Sequence, residues 1–565
     1  MNFREYTVKK ISEATELDNN VVSGLVETPP NPDMGDLAFP CFSLAKTMRK
    51  SPMIIASELA EKFDSDDFID HAEAQGGYLN FFYSKSAFAK DTLSQVLAAG
   101  DMWGSSKLGQ GKTVLVEFSS PNIAKPFHIG HLFSTAVGNS LERIYRHLGY
   151  KTEKLNHLGD WGTQVGKLIC AYKHWGDSSV IEKDPINELL KIYVKFHDEA
   201  KKAPELEDEA REYFRLLETG DEEVTSLWKY FREISLVEFK RVYDMLDISF
   251  DSYNGESFYC DKMQEVVDVL DGKGLLTDSE GAKIVDLSDK ELPPCIILKS
   301  NGTTIYATRD IAAALYRYRT YKFDKNIYVV GTPQALHFKQ IFSVIERAWG
   351  DWAKDCIHVG FGLVKFPDKK LSTRDGDVVF LEDVLNESVA KTLEIIKSNT
   401  PDMENAEEAA KTIGIGAILY AFLKNNREKD IVFSWDTMLD FEGESGPYVQ
   451  YGYARGRSIL RRADVDFSNA DLSLLTNKEE YELIKALGNF GEAVESAANK
   501  NEPFYVNRYV TNLTKAFNKF YNQNPILKSD VPEDVKCARL ALVSATTSVI
   551  KTALGLLGIK TVEKM

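Results

Sequence analysis

Cysteine is scarce. The 565-residue chain carries six, Cys41, Cys170, Cys260, Cys295, Cys356 and Cys537, scattered and never spaced as CxxC. That excludes a zinc ribbon and offers no disulfide frame, so the expected compartment is the reducing cytoplasm and no metal site is expected. Long apolar runs are missing as well. No stretch approaches the roughly 18 residues of a membrane span. The segment Met1-Asn2-Phe3-Arg4-Glu5-Tyr6 lacks the apolar core of a signal peptide, so no membrane partner is expected. Positive charge is short: 68 Lys and Arg face 85 Asp and Glu, a net charge of −17. A basic chain is the stronger sign of nucleic-acid binding, but binding follows local clusters rather than the total. Arg455, Arg457, Arg461 and Arg462 form one such cluster, and Lys500, Arg508, Lys515 and Lys519 follow more loosely. The usual phosphate loops are absent too: there is no GxxxxGK[ST], and no GxGxxG between strand and helix.

What is present is ordinary globular composition, 44% hydrophobic and 27% charged. The length suits about three or four domains. The most informative stretch is Ser119-Ser120-Pro121-Asn122-Ile123-Ala124-Lys125-Pro126-Phe127-His128-Ile129-Gly130-His131-Leu132. Thr113 to Phe118 before it is a short run rich in β-branched residues and reads as a buried strand. Leu132, Val137, Leu141, Ile144, Tyr145 and Leu148 behind it recur at helical spacing. The stretch is therefore a strand-to-helix turn, the place where open α/β sheets bind ligands. Pro121 and Pro126 stiffen it, and Gly130 lets a flat ring approach the backbone. His128, His131 and Lys125 can donate to a phosphate near a helix start. Read alone, an HxxH pair also fits an ordinary helix start or a metal pair, although metal-binding histidines on a helix are more often four apart.

Strands alternate with helices from about 112 to 375, the rhythm of a doubly wound parallel sheet. Residues 175 to about 295 are mainly helical and interrupt that rhythm. The second half of the sheet is expected to resume at Cys295-Ile296-Ile297-Leu298 and at Asn326 to Val330. Gly159-Asp160-Trp161-Gly162-Thr163-Gln164 reads as a glycine-rich turn opening a helix, with Asp160 either a plain cap or a ligand contact. Lys369 to Gly376 is a short polar loop after the strand-like Val359 to Val364; taken alone it also reads as a solvated basic turn. Asp310 lies four residues after Tyr306, on one helical face; its simplest role is an ion pair with Arg309 or Arg317. Glu117 closes the first strand. Carboxylates in planar geometry suit a guanidinium. Tyr448, Gln450, Tyr451, Tyr453 and Arg455 lie in a stretch whose tyrosines suit either base stacking or a helical core.

Pro-Asn-x-x-Lys-Pro-x-His-x-Gly-His resembles the HIGH signature of class I aminoacyl-tRNA synthetases, in the form typical of arginyl-tRNA synthetases. The likeness runs along essentially the whole chain. Asn156-His157-Leu158-Gly159-Asp160-Trp161-Gly162-Thr163-Gln164 resembles a second family motif. Lys370-Leu371-Ser372-Thr373-Arg374 resembles the KMSKS loop, with Thr373 where other class I enzymes place a second lysine. Phe133, Asp375 and Ser544 depart from the family pattern.

The resemblance implies an α/β fold: a Rossmann-like catalytic domain with an α+β N-terminal domain and an all-α C-terminal helical domain. The expected division is 1–105, a tRNA-contacting domain; 106–375, the catalytic domain with its insertion at about 175–295; 376–440, a connecting helical region; and 441–565, an anticodon-binding domain. The implied activity is ATP-dependent ligation of arginine to tRNA(Arg) through an adenylate, with transfer to the terminal 2′-hydroxyl. It brings Mg²⁺ with the ATP, and a monomer is expected. The implied catalytic residues are His128, His131, Lys125 and Lys370, with Lys125 compensating for the absent second lysine. ATP falls to His128, Gly130, His131, Gly159, Asp160, Lys370, Ser372 and Arg374. Arginine falls to Glu117, Ser120, Asn122, His131, Tyr306, Asp310 and Gln334. The tRNA falls to Tyr448, Gln450, Tyr451, Tyr453 and Arg455.

Overall fold

The computed structural model describes residues 2–300, 302–366 and 379–565. Lys370, Ser372 and Arg374, with Thr373 and Asp375, lie outside the described residues. The chain forms two compact units: residues 1–103, 455–490 and 512–550, and residues 104–454, 491–511 and 551–565.

The second unit holds a four-stranded parallel sheet. Its strands are β1 (Thr113–Glu117), β2 (Lys151–Leu155), β3 (Lys325–Val329) and β4 (Cys356–Val359), in the spatial order β4-β3-β1-β2. In register, Glu117 stands beside Leu155 on one side and Tyr328 on the other. Val114, Leu115 and Val116 are completely buried, as expected for a central strand covered on both faces. The edge strand β2 carries Lys151, Glu153 and Lys154, charges that discourage further pairing. Sequence order reverses around β1, so the carboxyl end of β1 opens at the topological switch point.

The helices that matter to the site are α1 (Ile129–His147), α2 (Thr163–Trp175), α3 (Glu222–Met245), α4 (Tyr306–Tyr321) and α5 (Ala335–Trp349). The segment between β2 and β3 is mainly helical. Cys295–Leu298, however, is not part of the parallel sheet. It pairs antiparallel with Ala282–Val285 in a separate three-stranded sheet. An apolar run specifies burial but not a partner, so β3 alone opens the second half. The expected strand from Val359 to Val364 also divides. Val359 ends β4, whereas Val364–Lys365 pairs with Ile431–Val432.

In the first unit, Leu37–Pro40, Ile69–Gln75 and Tyr78–Tyr83 form an antiparallel sheet with the central strand Tyr78–Tyr83. Phe39, Leu79 and Phe81 are fully buried within it. Lys485 on the helix Lys478–Gly488 bonds Asp36 at 2.9 Å, and Trp103 Nε1 donates to Leu487 O at 2.9 Å. Among the described residues one helix, Glu533–Leu556, has the length and composition of a membrane span, and 72% of its apolar window is buried inside the fold.

Candidate active site

His128 caps α1. Its Nδ1 accepts the Gly130 N–H at 3.1 Å, while His131 Nδ1 accepts the His128 N–H at 3.1 Å. Two imidazoles thus satisfy the backbone donors that a helix start leaves open. An Nδ1 that accepts cannot carry the proton, so each neutral ring holds it at Nε2. Burial lowers the His128 pKa to about 4, with Lys125 adding to the effect. Burial, then His128, holds His131 well below the ordinary value. Both rings are neutral donors at pH 7, stacked with centroids 3.7 Å apart. The positive charge of the loop is carried by Lys125, whose Nζ donates to Gln164 Oε1 at 2.7 Å and lies 5.4 Å from the Tyr193 ring centre. Burial lowers its pKa.

The loop is strained and braced. Ser119, Ser120 and Ala124 have φ of 69°, 47° and 54°. Left-handed backbone at non-glycine residues costs about 1–3 kcal/mol each and persists only where neighbours enforce it. The Ser119 N–H donates to Ser134 Oγ at 2.9 Å, and Ser119 Oγ pairs with Tyr243 Oη at 2.8 Å. The Ala124 N–H donates to Ser235 Oγ at 2.8 Å. Tyr243 and Ser235 both lie on α3, so the insertion holds the signature loop in shape. Gly159 is needed at its place. It exchanges backbone bonds with Pro121 and Ile123, and a Cβ there would stand 2.0 Å from Asn122 Oδ1. Ser120 Oγ accepts the His157 N–H at 3.2 Å. Beyond the signature, Leu381 N donates to Phe127 O at 2.8 Å and Ile129 N to Val379 O at 3.2 Å. Phe133 is buried against Phe361 and Phe422, which accounts for an aromatic ring at that departure from the family pattern.

A cavity of about 300 Å³ opens beside this loop, lined by Asn122, Lys125, Gly159, Gln164, Glu256, Tyr306 and Arg309 among others. Tyr306 is 54% exposed there. Asp310 does not pair with Arg309 or Arg317. Arg309 meets Glu256 at 3.0 Å, and burial raises the Glu256 pKa to about 7 despite that partner. Asp310 Oδ2 instead meets His337 Nε2 at 2.6 Å. Gln334 is exposed three residues before His337, at the entry to α5.

Four of the residues expected to contact substrates or RNA are buried and already have partners inside the fold. Asp160 is fully buried: Oδ1 accepts the Ser257 N–H, and Oδ2 accepts Arg232 Nε and Ser257 Oγ, at 2.9–3.0 Å. Its carboxylate anchors the insertion and does not cap α2; the residue preceding α2 is Gly162. Glu117 is 6% exposed and meets the buried Arg317 guanidinium at 2.5 Å, so its charge is already claimed. Gln450 is fully buried, its amide donating to Lys560 O at 2.8 Å, which takes it away from any RNA surface. Tyr453, 5% exposed with its hydroxyl on Glu563, is likewise core. Tyr451 is exposed and Tyr448 half-buried. Arg455 bonds Asn518 and lies 5.2 Å from the Tyr521 ring centre.

Sequence reasoning missed Gln164, Tyr193, Arg232, Ser235, Tyr243, His157 as a side chain, and His337. Most come from the insertion and carry no local motif. His337 was detectable in outline, since it stands one turn beyond Gln334. Among the described residues, Cys170, His174 and Glu209 bring metal-type ligand atoms within 4.8 Å of one another.

A parallel sheet with a paired-histidine turn at its switch point, interrupted by a helical insertion, is the catalytic architecture of class I aminoacyl-tRNA synthetases. Comparison with known proteins narrows the class. Residues 92–435 match the family model described as "tRNA synthetases class I (R), catalytic domain". Residues 449–565 match the DALR anticodon binding domain, and 2–83 the arginyl tRNA synthetase N terminal domain. The chain is 56% identical to the arginine–tRNA ligase of Clostridium kluyveri (strain ATCC 8527) over 568 residues, and 58% identical to that of Clostridium botulinum (strain 657) over 565, covering 100% of each chain. The structure of Thermus thermophilus arginyl-tRNA synthetase superposes with TM-score 0.82 at 27% identity, covering 99% of this chain and 100% of that one. The Plasmodium falciparum enzyme gives 0.79 at 26%, covering 99% of each. The chain belongs to the arginyl-tRNA synthetase family.

Proposed function

We infer that this chain ligates L-arginine to tRNA(Arg) at the expense of ATP, through an arginyl-adenylate. The observation that supports it best is the reciprocal capping of His128 and His131, which leaves two neutral Nε2–H donors and one ammonium, Lys125, at the switch point. The arginine carboxylate attacks the α-phosphorus of ATP, and pyrophosphate leaves in line. Such a transfer needs positioning and donors aimed at developing charge rather than covalent catalysis. Mg²⁺ arrives with the ATP: His128, His131, Lys125 and Gln164 are not the oxygen set that a resident Mg²⁺ takes. Lys370, Ser372 and Arg374 complete the nucleotide contacts.

Asn122, Ser120, Tyr306, Asp310 and Gln334 receive the arginine, with His131 near its carboxylate. Asp310 supplies the negative charge that the guanidinium needs, and Glu117 acts from behind through Arg317. The activated acyl group then passes to the 2′-hydroxyl of the terminal adenosine, and AMP leaves. Residues 1–105 and 441–565 hold the tRNA, the latter through Tyr448, Tyr451 and Arg455; 106–375 carries the chemistry and 376–440 connects. The enzyme works as a cytoplasmic monomer. The test is acylation of tRNA(Arg) ending in 2′-deoxyadenosine or 3′-deoxyadenosine, with each amino acid in turn. Arginine should charge the 3′-deoxy tRNA and not the 2′-deoxy one; the reverse, or charging by another amino acid, contradicts the reading.

A further inference from the structure

Asp310 has two oxygens in different surroundings. Oδ2 receives His337 Nε2 at 2.6 Å, a short charge-assisted bond. Oδ1 faces His157 Nε2 at 3.9 Å, beyond hydrogen-bond reach. His157 stays neutral because burial lowers its pKa, and its Nδ1 faces Arg317 at 3.4 Å. A guanidinium can only donate, so this Nδ1 accepts and the proton sits on Nε2. Arg317 is in turn held by Glu117. His337 thus engages one oxygen of the carboxylate, and the other has no hydrogen-bond partner among the described residues.

His337 is itself well fixed. It is in the first turn of α5, 11% exposed at the side chain, with its ring centre 4.8 Å from that of Tyr306. The imidazole N–H donates to Oδ2 and leaves Oδ1 able to accept from a second donor. We propose that His337 is a positioning residue for arginine specificity: it locks the Asp310 carboxylate plane and presents Oδ1 to the substrate guanidinium. A planar guanidinium pairs well only with a carboxylate of matching orientation. The inference rests on the reading of Asp310 as the guanidinium partner.

The test measures arginine and ATP dissociation constants, and the steady-state constants of pyrophosphate exchange in the presence of tRNA(Arg), for wild type, His337→Met, His337→Gln and Asp310→Asn. Methionine fills the space without a donor; glutamine returns an N–H near the place of Nε2. In metal sites, losing a residue that orients a ligating side chain costs about 10–100-fold in affinity or activity, and the same scale is expected for a carboxylate oriented toward a guanidinium. The expected result is a loss of that order in arginine affinity for His337→Met, carried in KM with kcat and ATP affinity near wild type, and recovery of most of it by His337→Gln. If Asp310→Asn weakens arginine but His337→Met does not, the positioning role is overturned and the pocket reading stands. If neither does, both fall. Equal losses for arginine and ATP, or no recovery with glutamine, make His337 merely structural and overturn the proposal. Should the methionine variant fail to fold, a glutamine variant with wild-type arginine KM supports the donor role, and one weakened about tenfold or more overturns it.

Discussion

Replacing Lys125 by methionine keeps the aliphatic stem and removes the charge. In the structure its Nζ bonds a neutral amide, Gln164 Oε1, at 2.7 Å, and burial alone lowers its pKa. With no carboxylate among the described residues to neutralise it, this ammonium is preorganised for an anion. Two unit charges 4 Å apart at an effective dielectric near 20 interact by about 4 kcal/mol. Only the part that grows between bound ATP and the transition state accelerates the reaction. Loss of one such donor costs about 2.7–4 kcal/mol, or 10²–10³ in rate. The neutral histidines cannot replace it, since His128 and His131 bring no net charge. The assay is single-turnover adenylate formation with tRNA present, alongside ATP affinity by calorimetry. The expected result is a rate loss of about 10²–10³ with ATP affinity changed little. A rate within about threefold of wild type, far short of that loss, refutes the reasoning and makes Lys125 a solvated loop residue.

Other outcomes follow from the same geometry. Gly159→Ala sets a Cβ 2.0 Å from Asn122 Oδ1, so urea unfolding should show a loss of about 1–3 kcal/mol, partly relieved by adding Asn122→Ala. Arg232→Met removes the charge partner of the buried Asp160 carboxylate, leaving it the Ser257 bonds, and should cost about 3–5 kcal/mol of stability, with ATP affinity kept in whatever fraction remains folded. His128→Asn retains a capping side chain but removes a group whose folded pKa is about 4 against an ordinary 6.5. Between those values the unfolded chain binds the extra proton, so the His128 contribution to stability should rise with pH from about 4 to 6.5 and then level off. Denaturation of wild type and variant across that range checks the sign.

How much was legible in the sequence depended on how local each feature is. The signature turn was readable because strand, loop and helix start lie within one short stretch. Even so, the reciprocal bonds that set both histidine tautomers were not, since backbone geometry decides them. Glu117 was visible as the end of a strand, but its partner Arg317 comes from α4 and appears only when the sheet closes. Asp160 read as a cap or a ligand contact because Arg232 and Ser257 arrive from the insertion. Cys295–Leu298 has the composition of a buried strand, and composition cannot say which sheet buries it. Gln450 and Tyr453 share a helix with the more exposed Tyr451, and only packing separates the buried face from the open one.

The most direct test of the central claim is the arginine dissociation constant of Asp310→Asn beside that of the wild type, measured by calorimetry with ATP affinity as the control. The substitution keeps the shape and removes the charge assigned to the guanidinium. Loss of such a pair, with its partner left in a desolvated pocket, costs about 2–5 kcal/mol. Arginine affinity should therefore fall at least about 30-fold, since each 1.4 kcal/mol is tenfold, while ATP binds as before. An unchanged arginine dissociation constant would contradict the account.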